Sequence, residues 1–204
     1  MTFKEKIQNF WYYYKNYLLV GVLLILALLI GINSCVNRKS YDLSVLYVTY
    51  ADNDTFFRSR ELSELFDSYT VDSNGDELAN SQIITINYAD SFQQSNSAGA
   101  QRAANLASGK CVLLLLDQRN YDELKSGGFL ADISDLGDSE YLAEDAFDAY
   151  GSGFLNSLSE NVVVKEPHYL CLRVDSEITG GNDSDFKLQY ETAKQTLKNI
   201  IEKY

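Results

Sequence analysis

Fifteen consecutive residues without a polar side chain, Leu18 to Ile32, constrain this chain more than any other feature. As a helix the run covers about 22 Å at roughly 1.5 Å per residue, short of a hydrocarbon core of about 30 Å. Extended from Tyr17 to Val36 it reaches 20 residues, or about 30 Å, enough to cross. Trp11, Tyr12, Tyr13, Tyr14 and Tyr17 then fall at the near interface, where amphipathic rings prefer to lie. Lys4, Lys6 and Lys15 precede the span, and Arg38 and Lys39 follow it, a small excess of positive charge on the N-terminal side. The expected organisation is therefore a cytoplasmic basic and aromatic N-terminus (1–16) and a transmembrane signal anchor (17–36). A juxtamembrane link (37–40) and an extracytoplasmic domain (41–204) follow. Such a chain sits in the cell membrane with a single pass.

Two other fates compete for the same segment. A cleaved export signal needs small residues at the cut, and Ile32-Asn33-Ser34 fits that poorly. The ending Ile32-Asn33-Ser34-Cys35 resembles a bacterial lipobox, in which the cysteine is lipidated and becomes the new N-terminus. Ile32 and Ser34 suit that pattern and Asn33 departs from it, so Cys35 stands as the alternative attachment point. All three fates place residues 40–204 outside the cytoplasmic membrane.

Charge is divided unevenly along the chain. Five of the 17 basic residues but only Glu5 among the 29 acids lie in residues 1–39, leaving 12 basic and 28 acidic residues beyond, a net of −16. A surface of that sign repels nucleic acid and anionic lipid, which excludes nucleic-acid binding. With 15 Tyr and 10 Phe the acidic part reads as a folded aromatic-rich domain rather than a disordered tail. Cys111 and Cys171 show no metal-ligand spacing and read as small buried hydrophobes; a disulfide between them would need neighbouring strands.

Beyond the link, YDLSVLYVTY (41–50) reads as a strand, and RSRELSELFDSYT as a helix with Leu62, Leu65, Phe66 and Tyr69 on one face. SQIITINYAD reads as a second strand, and SAGAQRAANLASGK as a small-residue helix stopped at Gly109. CVLLLLD is apolar throughout, as expected of a strand covered on both faces. A helix over QRNYDELKS breaks at Gly127-Gly128, and GDSEYLAEDAFDAYGSGFLNSL is expected to be helical in its first half. NVVVKEPHYLCLRVD reads as two strands around Glu166-Pro167. The closing FKLQYETAKQTLKNIIEKY is an amphipathic helix with Phe186, Tyr190, Ala193, Leu197 and Ile200 on one face. Strands alternating with helices predict an α/β domain of three layers with a mainly parallel sheet.

The stretch CVLLLLDQRNYDELKSGGFLADISDL resembles a segment of extracellular solute-binding proteins. In that family a buried strand ends in Asp, a helix runs to Gly, and a hydrophobic-Ala-Asp sequence follows. The order of elements from Tyr41 to Gly109 is similar to the first lobe of that periplasmic-binding-protein-like fold. The anchored N-terminus resembles small membrane-anchored envelope proteins of Gram-positive, clostridial-type bacteria. What the resemblance implies is a lobe that contacts a solute or partner on one open face. It carries over no ligand residue, because a two-lobed cleft needs a longer chain than this.

Candidate sites follow from residue type and position. Asp52, Asn53 and Asp54, then Asp90 and Ser91, then Asp117 and Gln118 each follow a predicted strand. In open α/β sheets ligands bind beyond the carboxyl ends of strands, so these loops are expected to converge on one rim. Asp72, Asn74 and Asp76 occupy the first, third and fifth positions of a calcium-loop pattern. Its sixth position is Glu77 instead of Gly and its twelfth is Ile83, which cannot give the bidentate carboxylate, so a plain Asn-Gly-Asp turn ahead of a strand is favoured over a weak calcium site. Seven acids from Asp132 to Asp148 have no basic residue among them and read as a solvated face. His168 stands without a nucleophile motif, and no phosphate, zinc-protease or dinucleotide fingerprint occurs, so neither catalysis nor a cofactor is expected.

The functional expectation is an envelope binding or accessory protein that binds an envelope or transport protein or a small solute, its ligand unknown. The alternatives are a ligand-free subunit of a secretion, pilus-like or cell-wall assembly, and a degenerate hydrolase.

Overall fold

The computed structural model describes residues 3–36, 41–50, 59–88, 92–109, 111–158, 166–174 and 184–204. The chain divides into two compact units, Met1–Ser40 and Tyr41–Tyr204. The first is a single helix, α1 (Phe3–Val36). Its segment Trp11–Ile30 has a mean hydropathy of 1.9 and is 0% buried. Among the described residues it is the one helix long and apolar enough to cross a membrane. Trp11, Tyr12, Tyr13, Tyr14 and Tyr17 are all exposed.

The second unit is an α/β domain. Its elements in order are β1 (Leu43–Thr49), α2 (Ser59–Asp67), β2 (Ser81–Asn87), α3 (Phe92–Ala107), β3 (Leu113–Asp117) and α4 (Gln118–Ser126). A short β4 (Phe147–Asp148), β5 (His168–Leu172) and α5 (Ser184–Ile201) complete it. The strands form one sheet in the order β2-β1-β3-β5-β4.

Alternation of side chains divides the core into two layers, one on each sheet face. Val45, Tyr47, Leu113, Leu115, Leu170 and Leu172 pack with Leu62 and Phe66 of α2 and with Ala193 and Leu197 of α5. Leu46, Val48, Leu114, Leu116 and Cys171 pack on the other face with Ala98 of α3 and with Tyr121 and Leu124 of α4. Strand β3 lies in mid-sheet and is buried at all five positions. Burial of each of its leucines stabilises the fold by roughly 1.5–3 kcal/mol. The helix ends follow their sequence signals: Gly127 caps α4, Gly128 turns left-handed at φ +70°, and Gly109 does the same after α3 at φ +69°.

Two expectations are corrected. The sheet is mixed: β1 runs parallel to β2 and β3, whereas β5 is antiparallel to both β3 and β4. The acidic stretch from Asp138 is not helical. It forms turns closed by a Leu142↔Phe147 bridge and by the Ala143 N–H donating to the Ala146 carbonyl at 2.8 Å. Glu140, Glu144 and Asp148 would stack like charges at i, i+4 on a helix, which destabilises it. Nor are the seven acids from Asp132 to Asp148 without basic partners, since Asp135 pairs with Lys194 at 3.1 Å and Asp145 with Lys125 at 3.0 Å.

Cys111 and Cys171 are both buried and not joined to each other. Their strands are neighbours, but the register sets Cys171 opposite Leu114, three residues from Cys111. That offset is about 10 Å along a strand, beyond the reach of a disulfide. The first of the two strands expected around Glu166-Pro167 lies outside the described residues.

Candidate functional site

Because β1, β2 and β3 are parallel, their carboxyl ends share one rim of the sheet. The strand order adds a direction to that rim. From β1 the chain passes through α2 to β2 on one side, and from β3 it leaves through α4 toward β5 and β4 on the other. Between β1 and β3 the connections diverge, the arrangement that opens a ligand crevice in α/β sheets.

Asp117 and Gln118 stand at that point. Asp52, Asn53, Asp54, Asp90 and Ser91 lie outside the described residues. Asp117 is buried and caps α4: its Oδ1 accepts the Asn120 backbone N–H at 2.8 Å and the Asn120 Nδ2 at 2.9 Å. Its Oδ2 accepts the backbone N–H of Tyr50 at 2.6 Å, tying the end of β1 to the end of β3. Asn120, itself wholly buried, accepts from Arg102 Nη1 at 2.8 Å. Arg102 forks onto both carboxylate oxygens of Glu123. That bond holds the Glu123 carboxyl below its ordinary range and raises the guanidinium above its own.

Aromatic rings cover this network. Tyr50 and Tyr88, which follow β1 and β2, stack with centroids 4.6 Å apart. The guanidinium of Arg119 lies 4.0 Å over the Tyr50 ring, and that of Arg102 lies 5.5 Å from the centre of Tyr88. Two groups cannot share one face at such distances, so Tyr50 is held between Tyr88 and Arg119. Burial pushes the Tyr88 phenol up. Its hydroxyl has no hydrogen-bond partner among the described residues.

The β5 side of the rim repeats the theme. Tyr121 and Tyr169 stack at 4.5 Å, and the Tyr169 hydroxyl donates to Gln118 Oε1 at 2.6 Å. The Tyr121 hydroxyl donates to Asp145 at 2.8 Å and accepts from Lys125 at 2.9 Å. Beneath the rim His168 pairs across the strands with Asp117. Its Nε2 lies 3.4 Å from the Tyr47 hydroxyl and its Nδ1 lies 2.9 Å from the Glu166 carbonyl oxygen. Burial lowers the imidazole pKa, outweighing the opposing pull of the Glu166 carbonyl and the Asp117 charge.

At a second place the fold brings together acids far apart in sequence. Oxygens of Asp42, Asp72 and Asp76 lie within 4.8 Å of one another. Asp42 is buried and organises the loop: its Oδ1 accepts from Ser73 N at 2.8 Å, Ser73 Oγ at 3.0 Å and Asn74 N at 3.1 Å. Its Oδ2 accepts from Asn80 N at 3.1 Å. Asp72 accepts from Gly75 N at 2.7 Å and Glu77 N at 2.9 Å, while Asn74 Oδ1 accepts from Asp76 N at 2.9 Å. Oxygen ligands in this number suit a hard cation such as calcium. Asn74 belongs to the turn rather than to the trio of carboxylates, and Ile83 lies in β2. Elsewhere a groove of about 420 Å³ runs beside α2, lined by Glu61, Glu64, Leu65, Tyr69, Lys203 and Tyr204 among others.

Comparison with protein-family models, curated proteins and solved structures gives no match. The site must be read from its own geometry.

Sequence reasoning placed Asp117 and Gln118 on the rim and missed Tyr50, Tyr88, Arg102 and Arg119. A usable signal was present: Tyr50 and Tyr88 each directly follow a strand, and Arg119 lies two residues after the third. Asp42 was also missed, since nothing local links it to a turn some 30 residues on.

Proposed function

We propose that this chain is a membrane-anchored, extracytoplasmic binding or accessory protein of the cell envelope. Its α/β domain offers the rim at the carboxyl ends of β1 and β3 to a small solute or an envelope partner. The observation that carries this reading is the apolar segment Trp11–Ile30, 0% buried, preceding a separately compact domain. Exposed apolar surface of that length needs lipid around it. The β-α-β-α-β order with all three strand ends at one rim supports a likeness to one lobe of a solute-binding protein. The reversed β5 limits that likeness to the first three strands. A cation at Asp42, Asp72 and Asp76 is part of the proposal, because the fold adds a buried third carboxylate to a calcium-like turn.

The test is topological. The protein is expected in the membrane fraction, and protease added to intact protoplasts is expected to remove residues 41–204 while sparing the N-terminus. Cys35→Ala is expected to leave anchoring intact. Release of that variant into the soluble fraction overturns the anchor in favour of lipidation at Cys35.

A further inference from the structure

We propose that the rim between the carboxyl ends of β1 and β3 binds a small solute carrying one carboxylate or phosphate group, with Arg119 as its anchor. The assignment rests on the reading of the rim as the binding face and adds the ligand's chemistry to it.

Arg119 differs from the other described arginines in how its charge is spent. Arg60 is engaged by Glu64, Arg102 by Glu123 and Asn120, and buried Arg173 by the Leu106 carbonyl. Arg119 is exposed, its guanidinium lies on the Tyr50 ring, and no carboxylate lies within ion-pair distance of it among the described residues. The three acids nearest in sequence, Asp117, Asp122 and Glu123, already have partners, Asp122 by accepting from Gln118 Nε2 at 3.0 Å. Asp117 gives both oxygens to N–H groups of Tyr50 and Asn120, and Glu123 gives both to Arg102. Stacking fixes a guanidinium by its face and leaves its planar fork of N–H donors pointing outward, the geometry that takes a carboxylate or phosphate in two bonds. Tyr50 is fixed in turn, by Tyr88 beneath and by the bond from its own N–H to Asp117, so the donors are held in place before a ligand arrives. The position is the point where the sheet connections diverge.

The domain's charge narrows the ligand class. A net of −16 beyond residue 39 repels polyanions over distances up to the screening length of about 8 Å at physiological salt. A single anionic group on a compact or planar body meets least of that repulsion and can still reach Arg119.

The experiment is thermal melting of the full chain in detergent micelles with acetate, benzoate or inorganic phosphate, at ionic strength matched with choline chloride. At least one of the three anions is expected to raise the melting temperature. A response to acetate or benzoate assigns a carboxylate, and a response to phosphate alone assigns a phosphate. Arg119→Gln is expected to weaken the responding anion at least tenfold, and Arg119→Lys to fall between, keeping the charge and losing the fork. No response to any anion, or an equal response in Arg119→Gln, overturns the anion assignment. Glucose separates the two readings. If glucose raises the melting temperature and Tyr50→Leu abolishes that effect while Arg119→Gln does not, the rim stands as a binding face and the anion does not. A solute response that survives both substitutions overturns both.

Discussion

Asp117 accepts the backbone N–H of Tyr50 at 2.6 Å, joining the carboxyl ends of β3 and β1 through one buried carboxylate. The same side chain caps α4 and fixes Asn120, so three elements depend on a single residue. Asp117→Ala removes the cap and strands buried donors, which together cost about 2–4 kcal/mol. For a domain of this size that is a fall of roughly 5–15 °C in melting temperature. A melt indistinguishable from wild type would show that water replaces the carboxylate without loss.

His168 predicts a pH dependence with a definite sign. Burial lowers its folded pKa below the unfolded value of about 6.5. Below that value the unfolded chain takes up a proton that the folded chain refuses, so stability falls as pH drops from about 7 toward 5. The slope from this one group is at most about 1.4 kcal/mol per pH unit. Urea melts across that range are expected to fall more steeply for wild type than for His168→Gln, in which the carboxylates still titrate and the imidazole is gone. Parallel curves would remove His168 from the account.

The Asp42, Asp72 and Asp76 cluster predicts a response to calcium. A cation relieves the repulsion of three carboxylate groups within 4.8 Å. Extracellular sites bind with dissociation constants of about 10⁻⁴–10⁻³ M, so 10 mM calcium stabilises by roughly 1.4–2.7 kcal/mol. Scanning calorimetry with calcium and then with chelator is expected to show that shift in wild type and not in Asp72→Asn/Asp76→Asn. Asp42→Asn is the wrong control: it disturbs the loop itself, whose Ser73, Asn74 and Asn80 N–H groups all meet Asp42.

Cys111 and Cys171 are expected to resist alkylation in the folded chain and to react fully once it is unfolded. Both thiols are buried, and burial pushes the Cys171 thiol well above its ordinary pKa, suppressing the reactive thiolate. Mass spectrometry after iodoacetamide treatment measures this directly. A Cys111–Cys171 peptide pair found under non-reducing digestion would contradict the strand register.

Elements with a clean period were legible in the sequence. Leu62 and Phe66 gave α2 its buried face, and Phe186, Ala193, Leu197 and Ile200 did the same for α5. The unbroken apolar run of β3 announced burial on both faces. Strand direction was not legible, because His168–Leu172 has the same apolar pattern whichever way it runs. The helix expected in the acidic stretch fails because Glu140, Glu144 and Asp148 would set like charges one turn apart. Position after a strand was enough to bring Asp117 to the rim. Its partners Tyr50 and Arg119 depend on the β1–β3 register and on ring stacking, which no local pattern encodes.

The place of β5 in the sheet has a consequence for how this chain is made. Among the described residues it is the last strand in sequence, yet it lies between β3 and β4, and β4 pairs with no other described strand. Synthesis from the N-terminus therefore completes β3 at Asp117 well before His168, its partner, exists. At about 5–20 residues per second the 51 residues from Gln118 to His168 take roughly 3–10 s. Until β5 is made, the edge of Leu113 to Leu116 that faces away from β1 has no described strand to pair with, so the described sheet is completed only late in the chain.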